Sequence, residues 1–216
     1  MKHIYTVIGL GVFGSTIALE LSRLGNDVIG IDLNPNLVSD IADRITQAVI
    51  ADARDEKVLR DLGVHECDGV VIAIGEDIEA NILATLIVKS MPKPKVWAKA
   101  LNPNHHKILE KLETDHIVHP EHEMGLRLAR SMIYPEVMDY ISLGHDQFTV
   151  EVRASDRLAG QNMDALHLPE NDLQCLLIKH LNEVMLPPPR QYEFELNDKI
   201  LLFGTLGNLR KITKYL

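Results

Sequence analysis

The sequence predicts an α/β fold: a doubly wound parallel sheet, then a helical crossover and a small C-terminal α+β lobe. Three observations carry this. Short apolar runs alternate with amphipathic stretches over positions 1–120. Those runs are continuously apolar, as in strands covered on both faces by helices. From Phe148 onward the pattern changes to half-exposed alternation with many turn residues, which suits a separate lobe.

Taken in order, residues 4–8, 28–31, 48–51, 70–74, 96–100 and 117–118 read as strands. Between them, residues 14–24 place Ile17, Leu21 and Leu24 on one helical face, and residues 81–89 do the same with Ile82, Leu86 and Lys89. Residues 105–112 offer Ile108, Leu109 and Leu112 at helical spacing. Met124, Leu128 and Met132 form an apolar stripe, interrupted at Tyr134-Pro135, because proline disfavours helix at the residue before it. A second short helix is expected over 136–141. Residues 148–152, 173–178 and 199–203 read as strands, 163–168 as a short helix and 208–215 as a terminal helix. Pro187-Pro188-Pro189 is a stiff connection without ladder donors. The expected organisation is a domain over 1–120, a crossover helix and hinge over 121–143, and a small lobe over 144–216, with the boundary at Leu143-Gly144-His145. A lobe that small gains stability from a copy of itself.

The 216 residues allow one large domain, or a large and a small one. The formal net charge of −9 argues against nonspecific binding to nucleic acid or anionic lipid. No apolar run approaches the ~18 residues that span a bilayer. The start, Met1-Lys2-His3-Ile4, lacks a secretory signal. Cys67 and Cys175 stand far apart in no metal or CxxC pattern, which suits a reducing cytoplasm. The expectation is a cytoplasmic protein without direct membrane insertion, a reading that leaves room for a membrane-embedded partner.

Gly9-Leu10-Gly11-Val12-Phe13-Gly14 follows the first strand and opens the first helix. In a Rossmann-like sheet these glycines have distinct tasks. Gly9 allows the tight turn, Gly11 lets phosphate approach the backbone, and Gly14 lets helix and strand pack closely. The helix N-terminus adds free N–H groups and a positive partial charge. Asp32 ends the second strand near the ~20-residue spacing at which an acid bonds ribose hydroxyls. A carboxylate there repels a 2′-phosphate. Asp32 is alternatively a cap for the helix near Asn34-Pro35. Asp52-Ala53 and Ala73-Ile74-Gly75 follow the third and fourth strands and open onto the same cleft. Asp52 either accepts from adenine or ribose, or caps the helix near Asp55. Gly75 either admits the ligand closely or ends its strand.

The run Val7-Ile8-Gly9-Leu10-Gly11-Val12-Phe13-Gly14, then Gly30-Ile31-Asp32 and Ala51-Asp52-Ala53, resembles the N-terminal RCK domain. Ile72-Ala73-Ile74-Gly75, Trp97-Ala98-Lys99-Ala100 and His119-Pro120-Glu121 with Met124-Gly125 are similar to the KtrA/TrkA group of bacterial potassium uptake systems. Residues 196–204 resemble the C-terminal RCK subdomain, so the likeness covers essentially the whole chain. It implies regulation rather than catalysis. ATP and ADP, or NAD(H), would bind the N-terminal cleft through Gly9, Gly11, Val12, Phe13, Gly14, Asp32, Asp52, Ala53, Ala73, Gly75, Lys99 and Glu121. Homodimers would form through the helix after Glu121 and assemble into an octameric ring beneath a membrane potassium-translocating subunit. Lys99 would reach the phosphates, and Glu121 would help hold Mg²⁺ or Ca²⁺ beside them; alone, Glu121 is equally an ordinary acid at a helix start. Some members of the family carry arginine where this chain has Val12, which affects discrimination between ATP and ADP. On the same resemblance, Arg54 would reach either the phosphates or the adenine, an alternative the sequence leaves open. Related C-terminal lobes bind a cyclic dinucleotide, but no diagnostic residues for that stand here.

Other readings are a regulatory protein of a cation–proton antiporter and a small NAD-dependent oxidoreductase. The latter needs an acid/base and an anion clamp over the nicotinamide, and no such set is recognisable after residue 144. His105, His106, His116, His119 and His122 are read as a transition-metal site, a pH-sensitive interface, or packing and surface residues.

Overall fold

The structure is a computed structural model that describes residues 2–133 and 137–212. It divides into two compact units, Met1–Glu123 and Met124–Leu216. The first unit contains β1 (Ile4–Ile8), α1 (Val12–Arg23), β2 (Asp27–Asp32), α2 (Pro35–Ile41), β3 (Gln47–Ile50) and α3 (Glu56–Asp61). It continues with β4 (Gly69–Ile72), α4 (Ile78–Lys89), β5 (Lys95–Lys99), α5 (Pro103–Lys111), β6 (His116–Val118) and the start of α6 (Pro120–Ile133).

The six strands form one sheet in the order β3-β2-β1-β4-β5-β6. All pairings are parallel. This is the doubly wound order expected from the sequence, and its switch point lies between β1 and β4. Successive residues serve opposite faces of the pleat. Val7 and Val71 join one apolar cluster with Ala18, Val38 and Ile41. Ile8, Val70 and Ile72 join the other, with Ala84, Val88 and Leu109. Continuous apolar runs are therefore needed in the central strands, and every residue of β4 is buried. The edge strand β3 is only half-buried or exposed, so its apolar run has a different setting from that of the central strands.

Helix starts follow local chemistry. Asn34 caps α2 through Asn36 N–H, Asp55 caps α3, Asp77 caps α4 through Ala80 N–H, and Asn102 caps α5 through His105 N–H. Pro35 and Pro103 stand in the first turns, where no N–H partner is lost. Helix α1 begins at Val12 rather than at Gly14, because Gly11 already serves as its N-cap.

The second unit adds β7 (Val137–Gly144), β8 (Gln147–Arg153), β9 (Gln174–His180), β10 (Glu183–Met185), β11 (Lys199–Thr205) and α7 (Leu206–Ile212). Its antiparallel sheet runs β10-β9-β11-β8-β7. The alternation in β11 buries Ile200 and Leu202 in a cluster with Leu166, Ile178, Phe194 and Leu209. The short helix expected over 163–168 is a 3₁₀ turn at Met163–Leu166.

Two expectations change here. Residues 137–141 are strand rather than helix, and Glu136, where the expected helix starts, lies with Tyr134-Pro135 outside the described residues. Val137, Tyr140 and Ile141 are strand formers, and β8 supplies their pairing partners. The expected boundary at Leu143-Gly144-His145 falls at the β7–β8 hairpin turn, where Gly144, His145 and Asp146 all have positive φ. The division between units lies instead at Glu123–Met124, so a cut after residue 143 removes β7 from its own sheet. The end of the expected terminal helix, residues 213–215, also lies outside the described residues. Among the described residues, no helix is long and apolar enough to cross a membrane.

Candidate functional site

The glycine turn is built by close backbone approach at the switch point. Gly9 has φ +92°, and a Cβ there would lie 2.8 Å from Ile74 N and 2.9 Å from the Ala73 carbonyl carbon. Gly9 N–H donates to Ile31 O at 2.8 Å, and Ala73 N–H to Ile8 O at 2.7 Å. The ends of β1, β2 and β4 are thus tied together. A Cβ on Gly14 would lie 1.8 Å from Gly9 O, so Gly14 is what lets α1 sit on the turn.

Gly11 differs. A Cβ there would meet nothing within 4 Å. Among the described residues, nothing near this position would obstruct a side chain. Helix α1 also lacks the side-chain cap that α2, α3, α4 and α5 have, and its first turn contains no acid. No side chain caps the N–H groups of its first turn. Val12, in that turn, is 89% exposed.

Asp32 Oδ2 accepts from Leu10 N–H at 2.6 Å, and Oδ1 accepts from Asn34 N–H at 2.8 Å. The carboxylate fixes the glycine turn to the end of β2. It does not cap α2, since Asn34 does. Leu33 and Ile50 are exposed beside it, with Ile50 the register partner of Asp32. Asp52 is engaged by Arg54, whose Nε and Nη2 donate to its two oxygens at 2.7–3.1 Å. That bonding holds the Asp52 carboxyl below its ordinary range. Asp55, not Asp52, caps α3. Ala53 and Ala73 are buried.

Lys99 ends β5 and is only 8% exposed. Its ammonium pairs with Glu121 in the first turn of α6. It lies 3.1 Å from where a Gly75 Cβ would stand and 5.9 Å from the Phe13 ring centroid. Gly75 therefore makes room for Lys99, a role beyond the two readings from sequence. Hydrogen bonding from Lys99 holds the Glu121 carboxyl low, although burial opposes it. In a Lys99→Met variant Glu121 should titrate at higher pH, nearer the ordinary carboxylate range. Carboxyl NMR would follow this, and an unmoved Glu121 resonance midpoint would show that Lys99 is not the cause.

Sequence reading missed Asn81. It is fully buried, and its Nδ2 donates to Ile74 O at 2.9 Å and to Lys99 O at 3.2 Å. It braces the ends of β4 and β5 against each other. Its one sequence signal is an amide inside the apolar stretch of α4. The histidines also resolve in part. His105 is buried, accepts from Leu101 N–H, and is held below its ordinary pKa by burial, with His119 adding to this. His106 and His119 stack and share a 2.9 Å hydrogen bond, and His116 stacks on Trp97. Among the described residues, no group of three or more His, Cys, Asp and Glu is arranged to hold a metal ion. The two cysteines are free and buried or half-buried. Burial raises both thiols, Cys175 to about 12, so neither is set up as a nucleophile.

The TrkA-N domain family matches residues 5–120. The chain is 36% identical over 215 residues to Ktr system potassium uptake protein C of Bacillus subtilis, covering 99% of this chain and 97% of that one. It is 34% identical over 213 residues to Ktr system potassium uptake protein A of Vibrio alginolyticus, covering 98% and 97%. Among solved structures, the GsuK channel bound to NAD superposes with a TM-score of 0.66 at 15% identity. That match covers all of this chain and 39% of the channel chain, and at such identity it speaks for the fold. The parallel sheet, the glycine turn and the two near full-length relatives agree: the chain belongs to the TrkA-N family, on its Ktr potassium uptake branch.

Proposed function

We propose that the chain is a nucleotide-binding regulatory subunit that gates a separate potassium-translocating membrane protein. The observation that carries the nucleotide site is Gly11. It stands at the uncapped start of α1, with open space where its side chain would be. Phosphate fits there, on free N–H groups and a positive helix end. Asp32 would take ribose hydroxyls with the lone pairs that Leu10 and Asn34 leave, and the exposed Leu33 and Ile50 offer apolar surface for the base. The ligand is an adenine nucleotide, ATP/ADP or NAD(H). Lys99 and Glu121 stand where the phosphates and an accompanying Mg²⁺ or Ca²⁺ would lie.

The potassium role is supported by the relatives, which are potassium uptake proteins along nearly their whole length. Regulation, not turnover, is the reading. The first unit senses the nucleotide. The second unit and the exposed Met124, Leu128 and Met132 stripe of α6 serve assembly of dimers and a ring at the membrane subunit. Nucleotide can bias such an assembly only by binding its two states with different affinity.

Gly11→Ala is the direct test. Its Cβ meets nothing within 4 Å and its φ of −59° is open to alanine. Thermal stability should stay within ~0.5 kcal/mol of the parent, as for other unobstructed surface changes. Affinity for adenine nucleotides by calorimetry should fall about tenfold or more, which is ~1.4 kcal/mol. Unchanged affinity would remove the glycine turn from the site.

A further inference from the structure

Asn81 lies at the joint between two strand ends. The β4–β5 register ends at Ile72–Ala98. Past that pair, Asn81 Nδ2 joins the two chains, donating to Ile74 O at 2.9 Å and to Lys99 O at 3.2 Å. The side chain is fully buried, one turn inside α4. Its own backbone is fixed at both groups: Asn81 N–H donates to Asp77 O at 3.1 Å, and Thr85 Oγ1 donates to Asn81 O at 2.8 Å. A donor on a fixed helix, shared between two acceptors, sets the spacing of both.

Asn81 Oδ1 is buried and has no hydrogen-bond partner. An unpaired acceptor in an interior is costly. The other buried residues of α4 are Ala80, Ala84, Thr85 and Val88, and an apolar residue at position 81 would leave no such acceptor. What the amide supplies, and an apolar side chain cannot, is the pair of donors.

The two carbonyls belong to different neighbourhoods. Ile74 borders the glycine turn: its N lies 2.8 Å from where a Gly9 Cβ would stand, and Ala73 N–H donates to Ile8 O at 2.7 Å. Lys99 pairs with Glu121 in the first turn of α6, and the next residue, Ala100, donates its N–H to Val118 O at 2.9 Å. All of these residues belong to the first unit.

We propose that Asn81 is a positioning residue: it ties the end of β4 to the end of β5, so that a displacement of the glycine turn is carried to Lys99 and, through Glu121, to the start of α6. What displaces the turn rests on the nucleotide reading above; the tie itself needs no ligand. Such coupling is established by a measured link, not by proximity.

Hydrogen exchange on the full chain, followed by NMR, measures it, because local openings are read amide by amide. Without ligand, Asn81→Ala should speed exchange of the Ala73 and Ala100 amides by about tenfold, as the loss of a hydrogen bond implies, and leave the amides of β2 at parent rates. Asn81→Ser, which keeps one donor, should fall between, and it makes the same comparison should Asn81→Ala not fold. Thr85→Val, which disturbs α4 one turn on, should leave Ala100 unmoved. Equal acceleration across β2, β4 and β5, or the same effect from Thr85→Val, would make Asn81 a merely structural residue and overturn the proposal. With ADP, and separately with NAD⁺, exchange at Ala100 should slow in the parent. In Asn81→Ala that slowing should be lost, while the first-turn amides of α1 keep theirs. Ala100 protection that survives in Asn81→Ala would also overturn the proposal. Binding of neither nucleotide to the parent would overturn the nucleotide reading, and the ligand-free rates would still decide the tie.

Discussion

Gly14→Ala should unfold or severely destabilise the first unit, although it adds a single methyl group. The new Cβ would lie 1.8 Å from Gly9 O and 3.0 Å from the Gly9 carbonyl carbon. Both are backbone atoms, and Gly9 is itself held by its N–H bond to Ile31 O at 2.8 Å. Helix α1 would have to lift from β1, which exposes Ala18 and strips the cluster around Val7 and Val38. A cost of more than ~4 kcal/mol belongs to this kind of clash, and a typical domain holds only about 5–15 kcal/mol in reserve. Scanning calorimetry should show the transition of the first unit lowered by roughly 10 °C or more, at ~2–8 °C per kcal/mol. A parent-like transition would show that the turn can open without cost. Gly11→Ala, three residues earlier in the same motif, is the contrasting case.

Asp198→Ala should have the largest effect on the second unit. Asp198 is 1% exposed. Its Oδ2 accepts from Tyr192 O–H and from Glu195 N–H, each at 2.8 Å, and its Oδ1 meets His180 Nδ1 at 2.7 Å. The carboxylate thus ties the segment between β10 and β11 to the end of β9. Truncation leaves buried donors without an acceptor, at roughly 1–3 kcal/mol for each. Denaturant melts should show a lower midpoint, and a midpoint equal to the parent's would show that water replaces the carboxylate freely.

The same contact has a pH signature. Hydrogen bonding to Asp198 raises the His180 pKa above 6.5, with Glu195 and Glu183 adding to it against burial. A raised folded-state pKa means that the protonated form is favoured by folding. Its stabilisation is full below about 6.5, the unfolded value, and is lost as pH rises through the raised folded value. Unfolding midpoints taken from pH 6 upward should fall in the parent. His180→Gln should flatten that fall. An identical slope in the two would assign the dependence elsewhere.

The fold was legible in the sequence where burial is two-sided. The run Val70-Val71-Ile72 is apolar because one cluster takes Val70 and Ile72 while the other takes Val71. The glycine turn was legible because Gly9 and Gly14 are required by contacts inside the motif or at the neighbouring strand end. Residues 137–141 were not, since a short apolar segment near a proline suits helix or strand equally. The antiparallel pairing with β8, across the hairpin turn at Gly144–Asp146, decides it. Asn81 was not legible either, because an amide within a helix shows its purpose only when Ile74 O and Lys99 O are brought to it.

By itself the sequence determined the strand and helix rhythm, the glycine turn and the acid at the end of β2. These rest on local spacing, and local spacing is written along the chain. Only the tertiary structure decided what each site residue holds. Asp32 carries the glycine turn, Asp52 is engaged by Arg54, and Lys99 is drawn to Glu121. Charges acquire their roles from neighbours brought close in space, and for Lys99 and Glu121 that neighbour comes from a different element of the fold.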